Sequence, residues 1–157
     1  MWENIPSTAW YDEIHKGWIE VFKKKPYHDV RFVFTTESGK TTKVAANKLI
    51  LMAFGDVFKA MFSGSIPEKG EVVMKDPTID VTDFELFIDF TYTGMVSLNM
   101  QNFEKLLYIA NKYHVRALEH ECASFLQYKL KRSNVYEFLE LVSSLLRPFE
   151  RNNIWVQ

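Results

Sequence analysis

The stretch that decides the fold covers residues 46–62 and reads ANKLILMAFGDVFKAMF. Its first half, from Asn47 to Phe54, is short and nearly all apolar, which predicts a helix that is buried on most sides. Asp56 stands where its side chain can cap a second helix. The apolar residues of that second helix are Val57, Phe58, Met61 and Phe62. The stretch therefore predicts two short helices in immediate succession.

The residues on either side of this stretch predict a small sheet. Residues 30–34 alternate and are rich in β-formers, a turn follows at 37–40, and a second strand is predicted at 41–45. Together these segments predict a hairpin. A further short strand is predicted at 71–74 and one more at 95–98.

Helices are predicted for most of the remaining chain. Thr82 and Glu85 have the spacing of a capping box for a helix that ends at Gly94. Three further helices are predicted from the apolar residues within 103–110, 118–126 and 135–145. A small sheet covered by a cluster of helices is an α+β arrangement.

The composition limits the possible functions. The chain has 157 residues, which suits one domain with a short appendage, and its net charge of −1 offers no basic face for nucleic acid. The longest apolar run, residues 49–54, is far shorter than the ~20 residues of a membrane span. Cys122 is the only cysteine, which excludes an internal disulfide and favours a reducing compartment. We therefore expect a cytoplasmic or nuclear protein with no nucleic-acid or membrane partner.

Sequence signatures of an active site are missing. The sequence has no glycine-rich phosphate loop and no nucleophile elbow. His114 and His120 are close to Cys122, but a zinc site needs three or four converging ligands and a second cysteine is missing. Cys122 lies on the apolar stripe of its helix, which indicates a buried structural thiol. We therefore expect no enzyme activity, no metal and no cofactor.

The N-terminal segment predicts an amphipathic helix. Trp10, Ile14 and Trp18 recur every four residues, and the helix would run from about residue 8 to about residue 24, on the order of 25 Å. Its aromatic stripe is too wide to leave in water. The stripe packs either on its own domain or on a second copy of the chain, and both can hold because a helix has two flanks.

Five runs of residues carry a resemblance to a known family. They are His28-Asp29-Val30-Arg31-Phe32; Ala46-Asn47-Lys48-Leu49-Ile50-Leu51 followed by Val57-Phe58-Lys59-Ala60-Met61-Phe62; Phe90-Thr91-Tyr92-Thr93-Gly94; Leu106-Leu107-Tyr108-Ile109-Ala110-Asn111-Lys112-Tyr113; and Cys122-x-x-Phe125-Leu126. In order and spacing, over about residues 27–131, they are similar to the BTB/POZ domain family. The family's usual histidine is replaced by Asn47, whose amide still makes side-chain hydrogen bonds.

The resemblance implies the BTB/POZ fold, a small and mostly three-stranded sheet capped by α-helices, with an N-terminal dimerisation helix. We expect an N-terminal extension at 1–26 that contains this helix, a BTB/POZ core at 27–131 and the start of a C-terminal helical extension at 132–157. In the family, the matching N-terminal helix and the helix near Asn47 form a two-fold dimer interface. The residues implied here are Trp10, Ile14, Trp18, Ile50, Met52 and Phe54.

The resemblance also implies a docking loop. Ile66 and Glu68 fit the apolar-x-Glu pattern with which many family members dock a cullin scaffold of ubiquitin ligases, although a plain exposed turn is the alternative. The extra helix at 135–146 is similar to one that follows the domain in cullin-docking members. Neighbouring residues of the same surface are Phe58, Met61, Tyr113 and His114. Asp29 and Lys48 match a charged pocket of members that recruit transcriptional corepressors, but they would also suit a structural ion pair.

These features predict a homodimeric protein-interaction module rather than an enzyme. The leading hypothesis is an adaptor that links a cullin-type scaffold to an unknown substrate protein. The alternative is a dimerisation or scaffold module of a transcription-related or other regulatory protein, without ligase binding. Residues 149–157 include Ile154 and Trp155, which suggests that the chain is a piece of a longer protein.

Overall fold

The computed structural model describes residues 8–23, 27–36 and 39–129. This part of the chain forms six helices and three strands. In chain order they are α1 Thr8–Lys23, β1 Val30–Thr35, β2 Thr41–Ala46, α2 Lys48–Phe54, α3 Asp56–Ser63, β3 Glu71–Val73, α4 Val81–Thr93, α5 Phe103–Lys112 and α6 Arg116–Lys129. The predicted α+β class is confirmed, whereas the helix predicted at 135–146 and the whole extension predicted at 132–157 lie outside the described residues. Among the described helices, none has the length and apolar character needed to span a bilayer.

β1 is the central strand of the sheet, whose order is β2-β1-β3. Phe32 of β1 lies opposite Val44 of β2 in an antiparallel pair, which confirms the predicted hairpin. On the other side, Phe32 lies opposite Val72 of β3 in a parallel pair. Because β3 comes from much later in the chain, this pairing brings the loop before β3 next to the start of β1.

Aromatic rings fill the core beneath the sheet. Phe32 of β1 packs on Phe84 of α4, with ring centroids 4.8 Å apart. Phe58 of α3 stacks on Tyr113, with centroids 4.6 Å apart and an interplanar angle of 3°, and Phe87 of α4 lies 5.7 Å from the same tyrosine. Full burial of one such side chain stabilises the fold by roughly 1.5–3 kcal/mol. The rings therefore join the sheet to three helical segments.

Asn47 connects the hairpin to α2. Its Oδ1 accepts hydrogen bonds from the backbone N–H groups of Leu49 at 3.0 Å and Ile50 at 3.3 Å, which caps the helix. Its Nδ2 donates to the carbonyl oxygen of Tyr27 at 2.8 Å. Its own backbone N–H donates to the Tyr92 hydroxyl at 2.8 Å. The expectation that an asparagine makes side-chain hydrogen bonds here is confirmed.

The start of α4 differs from its prediction. The N-cap is Asp80, whose Oδ1 accepts a hydrogen bond from the backbone N–H of Asp83 at 2.9 Å. Thr82 is therefore inside the first turn, and the predicted capping box is wrong. An aspartate carboxylate caps well and also interacts favourably with the positive end of the helix dipole.

The segment after α4 also differs from its prediction. Gly94 ends the helix as expected, with a left-handed φ of 66°. The strand predicted at 95–98 is wrong, since this described segment has no strand assigned. The backbone N–H of Met95 donates to the Thr93 hydroxyl oxygen at 3.2 Å, and Nδ2 of Asn102 donates to the Ser97 carbonyl at 3.0 Å. Side chains thus bind backbone groups that a strand would pair with a neighbouring strand.

A candidate protein-docking surface

The loop between α3 and β3, residues 64–70, presents one apolar side chain almost entirely to solvent, and is called the docking loop below. Ile66 has 93% of its surface exposed, and Glu68 is exposed two residues later. The backbone N–H of Glu68 donates to the Met61 carbonyl at 3.0 Å, and Gly64 N–H donates to the Ala60 carbonyl at 3.0 Å. Both ends of the loop are therefore tied to α3, while Ile66 projects between them.

Lys48 holds the same loop from the other side. Its Nζ donates to the carbonyl oxygen of Glu68 at 3.1 Å and lies 5.5 Å from the centroid of the Phe62 ring. Its backbone N–H donates to Oδ1 of Asp29 at 2.8 Å. Asp29 and Lys48 are thus adjacent, as predicted, but the carboxylate meets the backbone amide and the ammonium group reaches the loop. The structural ion pair considered from the sequence is therefore wrong.

Two residues predicted for the docking surface belong to the core. Phe58 is fully buried and Tyr113 is 4% exposed, so neither reaches a partner, and their assignment to the surface is wrong. Burial raises the pKa of the Tyr113 phenol, which stays neutral. Met61 is half-buried on α3, and His114 is exposed. Sequence spacing could not tell the buried residues from the exposed ones, because a buried face and an exposed apolar face have the same spacing along the chain.

The junction of α2 and α3 fits closely against the turn between α5 and α6. A Cβ atom added to Gly55 would lie 2.4 Å from the carbonyl oxygen of Tyr113, so only glycine fits. Gly55 is also the N-cap of α3, which has no side-chain cap; the predicted capping by Asp56 is wrong. The carboxylate of Asp56 instead pairs with Nζ of Lys59 at 2.9 Å.

His114 lies at the opposite end of α3 from the docking loop. It adopts a left-handed φ of 54°, which is uncommon for a residue with a side chain. The carbonyl oxygen of Tyr113, the residue before His114, lies against Gly55 at the start of α3. The pKa of Asp56 is lowered chiefly by its hydrogen bond to Lys59. The eight residues of α3 span roughly 12 Å. His114 is therefore near the N-terminal end of α3, whereas Ile66 follows its C-terminal end.

The residues predicted for a dimer interface fall on two helices. On α1, Trp10, Ile14 and Trp18 are 56%, 40% and 50% exposed along one stripe. α1 also lies against α4.

On α2, the exposed face differs in part from the predicted one. Met52 is half-buried and Phe54 is 37% exposed, whereas Ile50 is 8% exposed and faces the core, so its assignment to the interface is wrong. Sequence reasoning missed Leu49, which is 60% exposed. Its spacing of three residues from Met52 is the signal that would have placed both on one helical face.

The side chains considered for chemistry are not arranged for it. Cys122 is buried, and burial raises the pKa of its thiol to about 12, so it stays protonated and weakly nucleophilic near neutral pH. Within residues 8–23, 27–36 and 39–129, no group of three or more histidine, cysteine, aspartate or glutamate side chains could hold a metal ion.

Comparison with known proteins identifies the family. A model of the BTB/POZ domain matches residues 19–130. The chain belongs to the BTB/POZ domain family. Human Kelch-like protein 28 is 33% identical over 92 residues, which are 59% of this chain and 16% of the relative. Zebrafish BTB/POZ domain-containing protein 6-B is 32% identical over 134 residues, which are 83% of this chain and 27% of the relative.

Solved BTB domains have the same fold. The BTB domain of zebrafish PATZ1 matches with a TM-score of 0.64 and 20% identity, over 82% of this chain and 100% of that one. The BTB domain of human gigaxonin matches with a TM-score of 0.63 and 14% identity, over 80% of this chain and 98% of that one. The chain spans less than a third of the length of the curated relatives named above. BTB domains are typically non-catalytic, and this one is a protein-interaction adaptor module.

Proposed function

We propose that this BTB domain works as a homodimeric adaptor that docks a cullin scaffold of a ubiquitin ligase and brings a substrate protein to it. The observation that carries this proposal is the exposure of Ile66, 93%, on a loop tied to α3. An apolar side chain that projects in this way can fill a pocket of a partner and bury its apolar surface there. Glu68 adds a carboxylate that accepts hydrogen bonds at the edge of such a pocket.

Self-association is the second part of the proposal. Trp10, Ile14 and Trp18 present a continuous aromatic stripe, and Leu49 and Met52 present an apolar face on α2. Large aromatic side chains are the usual energetic centre of protein interfaces. Two copies of the docking loop in one assembly would also raise the avidity for a scaffold or a substrate.

The docking proposal is tested by titrating a purified cullin N-terminal domain into the chain and measuring heat. We expect saturable binding that the double substitution Ile66→Ala/Glu68→Ala weakens by about 10- to 100-fold, the range for one or two interface hot spots. The matched control is Met95→Ala, which removes another apolar side chain that is 71% exposed but lies outside the loop. Absence of binding by the unsubstituted chain would refute cullin docking and favour the alternative of a dimerisation or scaffold module.

The dimer proposal is tested by light scattering during size-exclusion chromatography at tens of micromolar (~30 µM suits interfaces of ordinary size). We expect a dimer for the unsubstituted chain and a monomer or insoluble protein for Trp18→Asp, because a buried unpaired carboxylate is costly. The control is Tyr128→Asp on α6, which places the same charge at an aromatic position that is 82% exposed. A monomeric unsubstituted chain would refute this part.

A further inference from the structure

Lys48 makes three contacts, which join the residue before β1, the end of α3 and the docking loop. Its backbone N–H donates to the Asp29 carboxylate at 2.8 Å, and Asp29 is the residue before β1. Its ammonium group donates to the Glu68 carbonyl at 3.1 Å and lies over the Phe62 ring, 5.5 Å from the centroid. The side chain therefore extends from the first residue of α2 to the far side of the loop, across the end of α3.

We infer that Lys48 is a positioning residue, which fixes the loop of Ile66 and Glu68 in the orientation that its partner binds. This inference rests on the proposed docking function and deepens it. The Glu68 N–H donates to the Met61 carbonyl at 3.0 Å, and the Glu68 carbonyl accepts a hydrogen bond from Lys48. Both polar groups of the Glu68 backbone are therefore fixed by hydrogen bonds. Fixing both groups sets the direction in which the Glu68 side chain leaves the backbone.

The same restraint reaches Ile66 through Pro67. The proline ring holds its own φ near −65°, so few backbone rotations remain between Glu68 and Ile66. A loop that is already ordered loses less conformational entropy when it binds, so its affinity for the partner is higher. Removal of one charge-assisted hydrogen bond at a solvent-facing site should therefore weaken binding by about three- to tenfold.

The test uses Lys48→Met, which keeps an unbranched side chain and removes the ammonium group, with its hydrogen bond to Glu68 and its contact with the Phe62 ring. Amide hydrogen exchange of the free chain, followed by NMR, should show the Glu68 amide exchanging several-fold faster. Calorimetry should show about three- to tenfold weaker binding of the cullin N-terminal domain. Lys48→Arg should restore both values towards those of the unsubstituted chain, because the guanidinium group also donates to a carbonyl.

The control is Lys105→Met, which removes another lysine whose ammonium group lies 2.6 Å from Asp80 and 2.9 Å from Asp83, away from the loop. It should leave the Glu68 amide unchanged. Unchanged exchange at Glu68 in Lys48→Met would overturn the positioning role, and so would faster exchange with undiminished cullin affinity. If Lys48→Met accelerates exchange but the unsubstituted chain binds no cullin, the docking function fails while the local role of Lys48 stands.

Discussion

Replacement of Asn47 by alanine should destabilise the domain by about 2 kcal/mol. Loss of the cap on Leu49 and Ile50 costs about 1 kcal/mol, as in other helices. Loss of the hydrogen bond from Nδ2 to the Tyr27 carbonyl adds roughly 0.5–1 kcal/mol. The bond to the Tyr92 hydroxyl comes from the backbone and survives the substitution. For a chain of this length, the melting temperature should fall by about 4–8 °C.

Urea unfolding followed by circular dichroism measures this change, at a fixed protein concentration because the proposed dimerisation would itself add stability. Asn47→Asp is the informative comparison, since its carboxylate still caps α2 but no longer donates to Tyr27. We expect Asn47→Asp to lose only about 0.5–1 kcal/mol. The reasoning is refuted if Asn47→Ala lies within 0.5 kcal/mol of the unsubstituted chain, or if both variants lose the same amount; these thresholds are roughly the error of such measurements.

Three further outcomes are expected. Gly55→Ala should lower the free energy of unfolding by about 2 kcal/mol or more, because the added Cβ would lie 2.4 Å from the Tyr113 carbonyl oxygen. Thermal unfolding measures this loss, and the control is Gly17→Ala, where nothing lies within 4 Å of the added Cβ. Burial alone would raise the pKa of Asp76, but hydrogen bonds from a lysine and a tyrosine lower it to about 2. Its contribution of about 1–2 kcal/mol is therefore present above pH ~4 and lost as the pH falls towards ~2, and acid titration of Asp76→Asn should lack that loss. Cys122 should react with a thiol reagent at pH 7 only as fast as the chain unfolds, whereas rapid labelling under native conditions would contradict its burial.

Local sequence signals predicted most of the architecture. The alternation in β1 and β2 and the glycine that ends α4 each act over a few residues, and each prediction was confirmed. The apolar run of α2 forms the predicted helix, but its predicted burial on most sides is wrong, since only Ile50 and Leu51 of α2 are buried. The sequence signals failed at the starts of α3 and α4, where more than one nearby residue could be the N-cap. Asp80 caps α4 in place of Thr82, and Gly55 precedes α3 in place of a capping Asp56. Several residues near a helix start can serve as the cap, and the approach of the chain selects among them.

The candidate site was predicted in part. Ile66 and Glu68 were found as a short pattern, and the structure places them on one exposed loop. Phe58 and Tyr113 were assigned to the surface but stack on each other in the core. Leu49 was missed, because rotation of a short helix about its axis depends on what packs against it.

By itself, the sequence determined the family, the order of helices and strands, and the aromatic stripe of α1, since these follow from spacing and side-chain chemistry along the chain. Only the tertiary structure decided which residues reach the surface and which contacts hold the docking loop. Parallel pairing of β3 with β1 brings the loop next to α2, so that Lys48 meets Glu68 across 20 residues of sequence. Such a contact depends on long-range packing, which no local pattern of the intervening residues encodes.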